Sequence, residues 1–146
     1  MGVLVVTGGS RGIGAEICRL GAQRGWAVCV NYASSADEAD GVVAEIEASG
    51  GRAIAAQADV SVPEAVERMF DQVDSELGPV TGLVNNAGVQ GSIGRVEDVE
   101  VDKTRYMFEV NVLGPFLCSQ AAIRRMAKRY GHGGCGKARI SGRPGF

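Results

Sequence analysis

Directly after the unbroken apolar run Val3 to Val6, the chain reads Thr7-Gly8-Gly9-Ser10-Arg11-Gly12-Ile13-Gly14. Four apolar residues without alternation suit a strand covered on both faces, as in a parallel sheet between helical layers. Behind the glycines comes a helical pattern with Ile13, Ile17 and Leu20 on one side. Such a turn lets backbone N–H groups approach a diphosphate with no Cβ in the way, and the helix N-terminus adds partial positive charge. Gly8, Gly12 and Gly14 follow a Gly-x-x-x-Gly-x-Gly spacing. No Gly-Lys-Ser/Thr follows, which disfavours the Walker phosphate loop and leaves a dinucleotide as the expected ligand.

The second apolar run, Ala27 to Asn31, ends where a dinucleotide fold places its ribose-reading residue. A carboxylate there would accept from the adenosine ribose of NAD. This chain has Asn31-Tyr32-Ala33-Ser34-Ser35 instead, with Arg11 inside the glycine turn. A guanidinium can pair with a 2′-phosphate. Asn31 and Tyr32 are therefore expected at the ribose, and NADP(H) is expected over NAD(H).

Strand and helix patterns alternate further on. A helix through Val42, Val43 and Ile46 ends near Gly50-Gly51, and a short strand, Ala53 to Ala56, follows. Ser61-Val62-Pro63-Glu64 reads as a capping box with an early proline. The next helix carries Val66, Met69, Phe70, Val73 and Leu77, and Gly78-Pro79 stops it. Gly82 to Asn85 reads as a fourth strand, and a long helical stretch from about Asp102 to Tyr130 is expected to bend near Gly114-Pro115. Alternation of this kind predicts right-handed crossovers and an α/β fold: a three-layer Rossmann-type parallel sheet, helices on both faces, truncated to about four strands. The ligand then lies beyond the C-terminal strand ends, with the glycine turn, Asp59-Val60 and Asn86-Ala87-Gly88.

At 146 residues and 45% hydrophobic content, the chain suffices for one modest domain, expected over residues 1–130. A net charge of -2 gives no electrostatic case for nucleic acid or an anionic membrane. No apolar run reaches the roughly 20 residues that span a bilayer. No basic-then-apolar leader precedes the first strand. Cys18, Cys29, Cys118 and Cys135 include no Cys-x-x-Cys pair, so buried reduced thiols in a cytoplasmic protein are expected, and no metal site.

Taken together, the Thr7-to-Gly14 turn, Asp59-Val60, Asn85-Asn86-Ala87-Gly88 and Asn111-Val112 resemble the short-chain dehydrogenase/reductase family over roughly residues 2 to 130. The look is of its 3-oxoacyl-carrier-protein-reductase-like or sugar-dehydrogenase-like members. The resemblance implies that Gly8, Gly9, Ser10, Arg11, Gly12, Ile13 and Gly14 wrap the phosphates and adenosine ribose. It implies that Asp59 accepts from the adenine amino group with the Val60 N–H beside it, and that Asn86, Ala87 and Gly88 line the ribose side. Asn111 takes the position that holds a water in the family's proton relay; for Asn86 and Asn111 the alternative is an amide that ties backbone groups together.

One departure is large. The family's Ser and Tyr-x-x-x-Lys are absent: Tyr32 is followed at that spacing by Ala36, Tyr106 by Val110 and Tyr130 by Gly134. Ser141 and His132 have no partners of that kind. Residues 131–146 form a Gly/Arg-rich tail that reads as disordered, or as a frame-shifted or truncated ending; a short pseudo-enzyme subunit is the alternative. The fourth strand is then expected to be an open apolar edge, and Val110, Leu113, Leu117 and Ala121 an apolar helix face. Both favour a homo-oligomer or aggregation.

Overall fold

The computed structural model describes residues 2–127. The expected tail, with His132, Cys135 and Ser141, lies outside the described residues. Four parallel strands, β1 (Val3–Val6), β2 (Ala27–Tyr32), β3 (Arg52–Gln57) and β4 (Gly82–Val84), form one sheet in the order β3-β2-β1-β4. The helices between them are α1 (Gly12–Gln23), α2 (Ala36–Ala48) and α3 (Pro63–Glu76). Behind β4 come a 3-10 turn (Val96–Asp98), α4 (Val101–Phe108), a π-helical turn (Glu109–Leu113) and α5 (Gly114–Met126).

Both sheet faces are covered, as the apolar runs require. Val3, Val5, Ala27 and Cys29 pack under Val66, Met69, Phe70 and Val73 of α3 and Cys118, Ala121 and Ala122 of α5. Their neighbours in sequence, Val6, Val28 and Val30, turn to the other face and meet α1 and α2. The two-residue period of a strand thus feeds two separate cores.

Helix α1 meets the sheet chiefly by its small residues, with Ile17 packed at the margin of the core. Ile13 is 76% exposed and Leu20 48%, whereas Gly14, Ala15, Cys18 and Gly21 are buried. Small residues let the helix lie close to the sheet, and that closeness brings its N-terminus down onto the glycine turn. α3 works the other way, with Met69 and Phe70 filling the space. The Arg125 guanidinium then fastens α5 to α3: it reaches Asp74 at 2.5 Å and Asp71 at 2.6 Å, and lies 5.3 Å from the Phe70 ring centre.

Three local expectations are corrected. Ser61 does not cap α3; Val62 is the cap residue without a side-chain bond, and the Ser61 N–H and hydroxyl both donate to Asp59 Oδ1. The long helix is interrupted at Glu109–Leu113, just before Gly114-Pro115. Pro115 has no N–H to donate, which loosens the preceding turn. A Cβ on Gly114 would lie 2.7 Å from Val60 Cγ2, so the helix presses against the loop behind β3. Lastly, Val110 and Ala121 are buried in the chain's own core and Leu117 packs against it. The apolar side left open is Phe108, Val112, Phe116 and Ile123, beside Leu113. Among the described residues β4 pairs only with β1, which leaves it as the sheet edge.

Phe70→Ala removes the largest fully buried side chain and should lower stability by about 3–5 kcal/mol. Leu20→Ser on the open side of α1 should change it by less than about 0.5 kcal/mol. Urea denaturation followed by circular dichroism measures both; equal losses would refute the packing assignment of α1.

Candidate functional site

At the C-terminal ends of the strands lies an open cleft of ≈ 330 Å³. Its walls are Gly8, Ser10 and Arg11 behind β1, Tyr32 to Ser35 behind β2, Ala58 to Val60 behind β3, Asn86 to Val89 behind β4, and Tyr106 and Val110 from the α4 side. Four loops meet there because parallel strands point the same way.

The glycine turn is held from below. Thr7 is buried, and its hydroxyl oxygen accepts from the N–H groups of Asn86 and Ala87, both at 3.0 Å. The Asn86 amide donates back to the carbonyls of Thr7 and Gly8, each at 3.0 Å. A Cβ on Gly14 would sit 2.2 Å from Gly8 O, so only glycine lets the start of α1 fold onto the turn. Helix α1 carries no acid in its first turn, which leaves its positive end uncompensated.

Asn31 is only 1% exposed and does not line the cleft. Its Oδ1 accepts from the Gly8 N–H at 3.2 Å, and its Nδ2 donates to Ala56 O at 3.2 Å and Ala58 O at 3.0 Å. The amide is spent tying β2, β3 and the glycine turn together. The residues of that segment that do face the cleft are Tyr32, Ala33, Ser34 and Ser35. Gly9, Gly12, Ile13 and Gly14 shape the turn without lining the cleft, with Ile13 turned outward.

Asp59 stands on the floor. Its Oδ1 accepts from Ser61 N at 2.9 Å and Ser61 Oγ at 2.6 Å, and its Oδ2 accepts from the Tyr106 hydroxyl at 3.0 Å. Partial burial pushes the carboxyl up, but the bonds from Ser61 and Tyr106 outweigh it and hold Asp59 below the ordinary carboxylate value. Burial and the bond to Asp59 push the Tyr106 phenol up. Val60 is buried beneath, and Ala87 and Gly88 line the cleft behind β4. Asn111 lies in the π-helical turn and clamps Val89: its Oδ1 accepts from the Val89 N–H and its Nδ2 donates to Val89 O, both at 2.8 Å.

Two participants escaped the reading of the sequence. Thr7 was visible as the head of the turn, but nothing in one chain marks its hydroxyl as an acceptor for the β4 loop. Tyr106 lies 47 residues from Asp59 and carries no local signal.

A glycine turn after β1, strand order β3-β2-β1-β4 and a cleft at the strand ends define a Rossmann-type α/β domain. The short chain dehydrogenase model matches residues 2–134, and the chain belongs to that family, whose members bind NAD(P). An uncharacterized oxidoreductase of Methylorubrum extorquens is 46% identical over 132 residues, 90% of this chain and 51% of the relative. The 3-oxoacyl-acyl-carrier-protein reductase of Staphylococcus epidermidis is 39% identical over 127 residues, 86% of this chain and 51% of the relative. A short chain dehydrogenase from Burkholderia cenocepacia, solved in complex with NADP, superposes with a TM-score of 0.79 at 45% identity, covering 84% of this chain and 49% of that one. The chain therefore spans about half the length of the curated relatives it matches.

Asn31→Asp removes the donor that serves two carbonyls and faces them with a charge. It should cost about 1–3 kcal/mol of stability, rather than act as a clean cofactor switch. A thermal melt of the variant unchanged from the parent would contradict this.

Proposed function

We propose that this chain is the NADP(H)-binding portion of a short-chain dehydrogenase/reductase, serving carbonyl reduction or alcohol oxidation. The observation that carries the reading is the composition of the cleft. Backbone of the glycine turn and the free end of α1 suit a diphosphate, and Arg11 behind β1 lines the same cleft as Ser34 and Ser35 behind β2. Among the described residues Asp59 is the one carboxylate in the lining, and it lies behind β3. A 2′-phosphate beside Arg11 would then meet a cation and two hydroxyl groups of the same cleft.

Each residue then has a task. Gly8, Ser10 and Arg11 hold the diphosphate and adenosine ribose, with Gly9, Gly12, Ile13 and Gly14 shaping the turn behind them. Tyr32 packs at the ribose, and Asn31 acts from behind by fixing the Gly8 N–H. Asp59 accepts from the adenine amino group with the Val60 N–H beside it. Asn86, Ala87 and Gly88 form the ribose side, and Asn111 orders Val89 at the relay position. A bound nicotinamide dinucleotide supplies or accepts a hydride. The chain lacks Tyr-x-x-x-Lys to handle the accompanying proton.

The second reading is a catalytically dead nucleotide-binding or interaction module. A Ser and Tyr-x-x-x-Lys segment in another frame of the encoding DNA supports the first reading; its absence supports the second. Buried free thiols at Cys18, Cys29 and Cys118 fit a cytoplasmic setting. No helix among the described residues is long and apolar enough to cross a membrane. The open side of Phe108, Val112 and Phe116 suits association of copies. Sedimentation velocity on the chain and on Phe116→Glu reads this directly: the variant should be less associated, and an unchanged monomer would refute it.

Calorimetry at low salt should give tighter binding of NADPH than of NADH, and Arg11→Ala should remove about tenfold of that preference. Equal affinities in the parent chain would sink the assignment. The same preparation, free of host reductases, should turn carbonyls over slower than a complete reductase by at least the ~10²–10⁴-fold that a positioned acid supplies. Turnover at a full rate would mean that another residue supplies the proton.

A further inference from the structure

The Asp59–Tyr106 pair has a chemistry of its own. A carboxylate offers about four acceptor sites. Three are filled here, two on Oδ1 by Ser61 and one on Oδ2 by Tyr106. One site remains, on the oxygen next to the phenol. The phenol has a single proton and commits it to Asp59, so its oxygen has only lone pairs left to offer. The two oxygens lie 3.0 Å apart, and both residues line the cleft. Ala58, Val60 and Val110 line the cleft with them and give an apolar surface. An apolar surface suits a flat ring, and two neighbouring acceptors suit an –NH2 group on its edge.

We propose that Tyr106 is a base-reading residue: its oxygen and Asp59 Oδ2 together accept the two hydrogens of the exocyclic amino group of adenine, which rests on the dinucleotide reading above. The pair discriminates as well as binds. A base with a carbonyl at that position brings a third oxygen against two acceptors and is refused. Tyr106 also positions Asp59, since without the phenol the carboxylate is held by Ser61 alone and can turn about its own axis.

The alternative is a plain latch, in which Tyr106 only holds α4 against the loop behind β3. A latch stabilises the cleft for every nucleotide alike, whereas a reader changes the ratio between two bases. Calorimetry with NADPH and its deamino analogue, in which hypoxanthine replaces adenine, separates the two. The parent chain should bind NADPH about tenfold more tightly than the analogue. Tyr106→Phe should reduce that ratio to about threefold or less by weakening NADPH, with the analogue unchanged. Asp59→Asn should invert the preference: Ser61 keeps the amide oxygen at the Oδ1 position, so the amide nitrogen points at the base and donates to a carbonyl. A Tyr106→Phe variant that weakens both nucleotides equally, or keeps the parent ratio, overturns the proposal. So does a parent chain that binds both equally well. A parent chain that binds neither overturns the dinucleotide reading, and this inference with it.

Discussion

The hydrogen bonds that close the C-terminal edge of the sheet hold everything else at the site in place. Thr7 and Asn31 are buried polar side chains, and a buried polar group must be paired or it costs stability. Thr7 meets that demand with the N–H groups of Asn86 and Ala87. Asn31 meets it with Gly8, Ala56 and Ala58. Between them, two side chains tie the ends of all four strands to one glycine turn. The turn cannot shift without breaking these bonds. The faces left over, among them Gly8, Arg11, Ser34 and Gly88, line the open cleft.

Packing distance decides the rest. The small face of α1 brings a helix N-terminus onto the turn, and a face of large residues there would have lifted it away. On the other side of the sheet, Phe70 and Met69 hold α3 at a full side-chain distance, and Arg125 fastens α5 to it. The π-helical turn then places two neighbouring residues in different duties. Val110 goes into the core, while Asn111 clamps Val89 at the mouth of the cleft. The same run sets Phe108, Val112 and Phe116 outward, an apolar side for which the described chain has no cover.

The cleft is furnished more for holding than for proton transfer. Of its ionisable groups, Asp59 is committed to three donors and, against partial burial, is held below the ordinary carboxylate value by Ser61 and then Tyr106. Burial first and the bond to Asp59 second push the Tyr106 phenol up, so both shifts run away from neutral pH. A pair of that kind is better suited to recognition, where a fixed pattern of donors and acceptors matters.

The sequence by itself determined the order of elements, the parallel sheet and the glycine turn at the head of α1. Each of these rests on local pattern: an unbroken apolar run, a glycine turn, a 3.6-residue period. Asp59, Asn86, Ala87 and Gly88 were legible because the ends of parallel strands must converge. Tertiary structure alone decided which way side chains face. Ile13 and Leu20 looked like a buried stripe, but Gly14, Ala15, Cys18 and Gly21 offered a closer approach, and closer packing won. Asn31 stood at the right place in the chain for a ribose contact, but unpaired backbone groups of β3 and the turn claimed its amide first. The Tyr106–Asp59 contact joins residues far apart in the chain, and no local pattern encodes where two distant segments will touch.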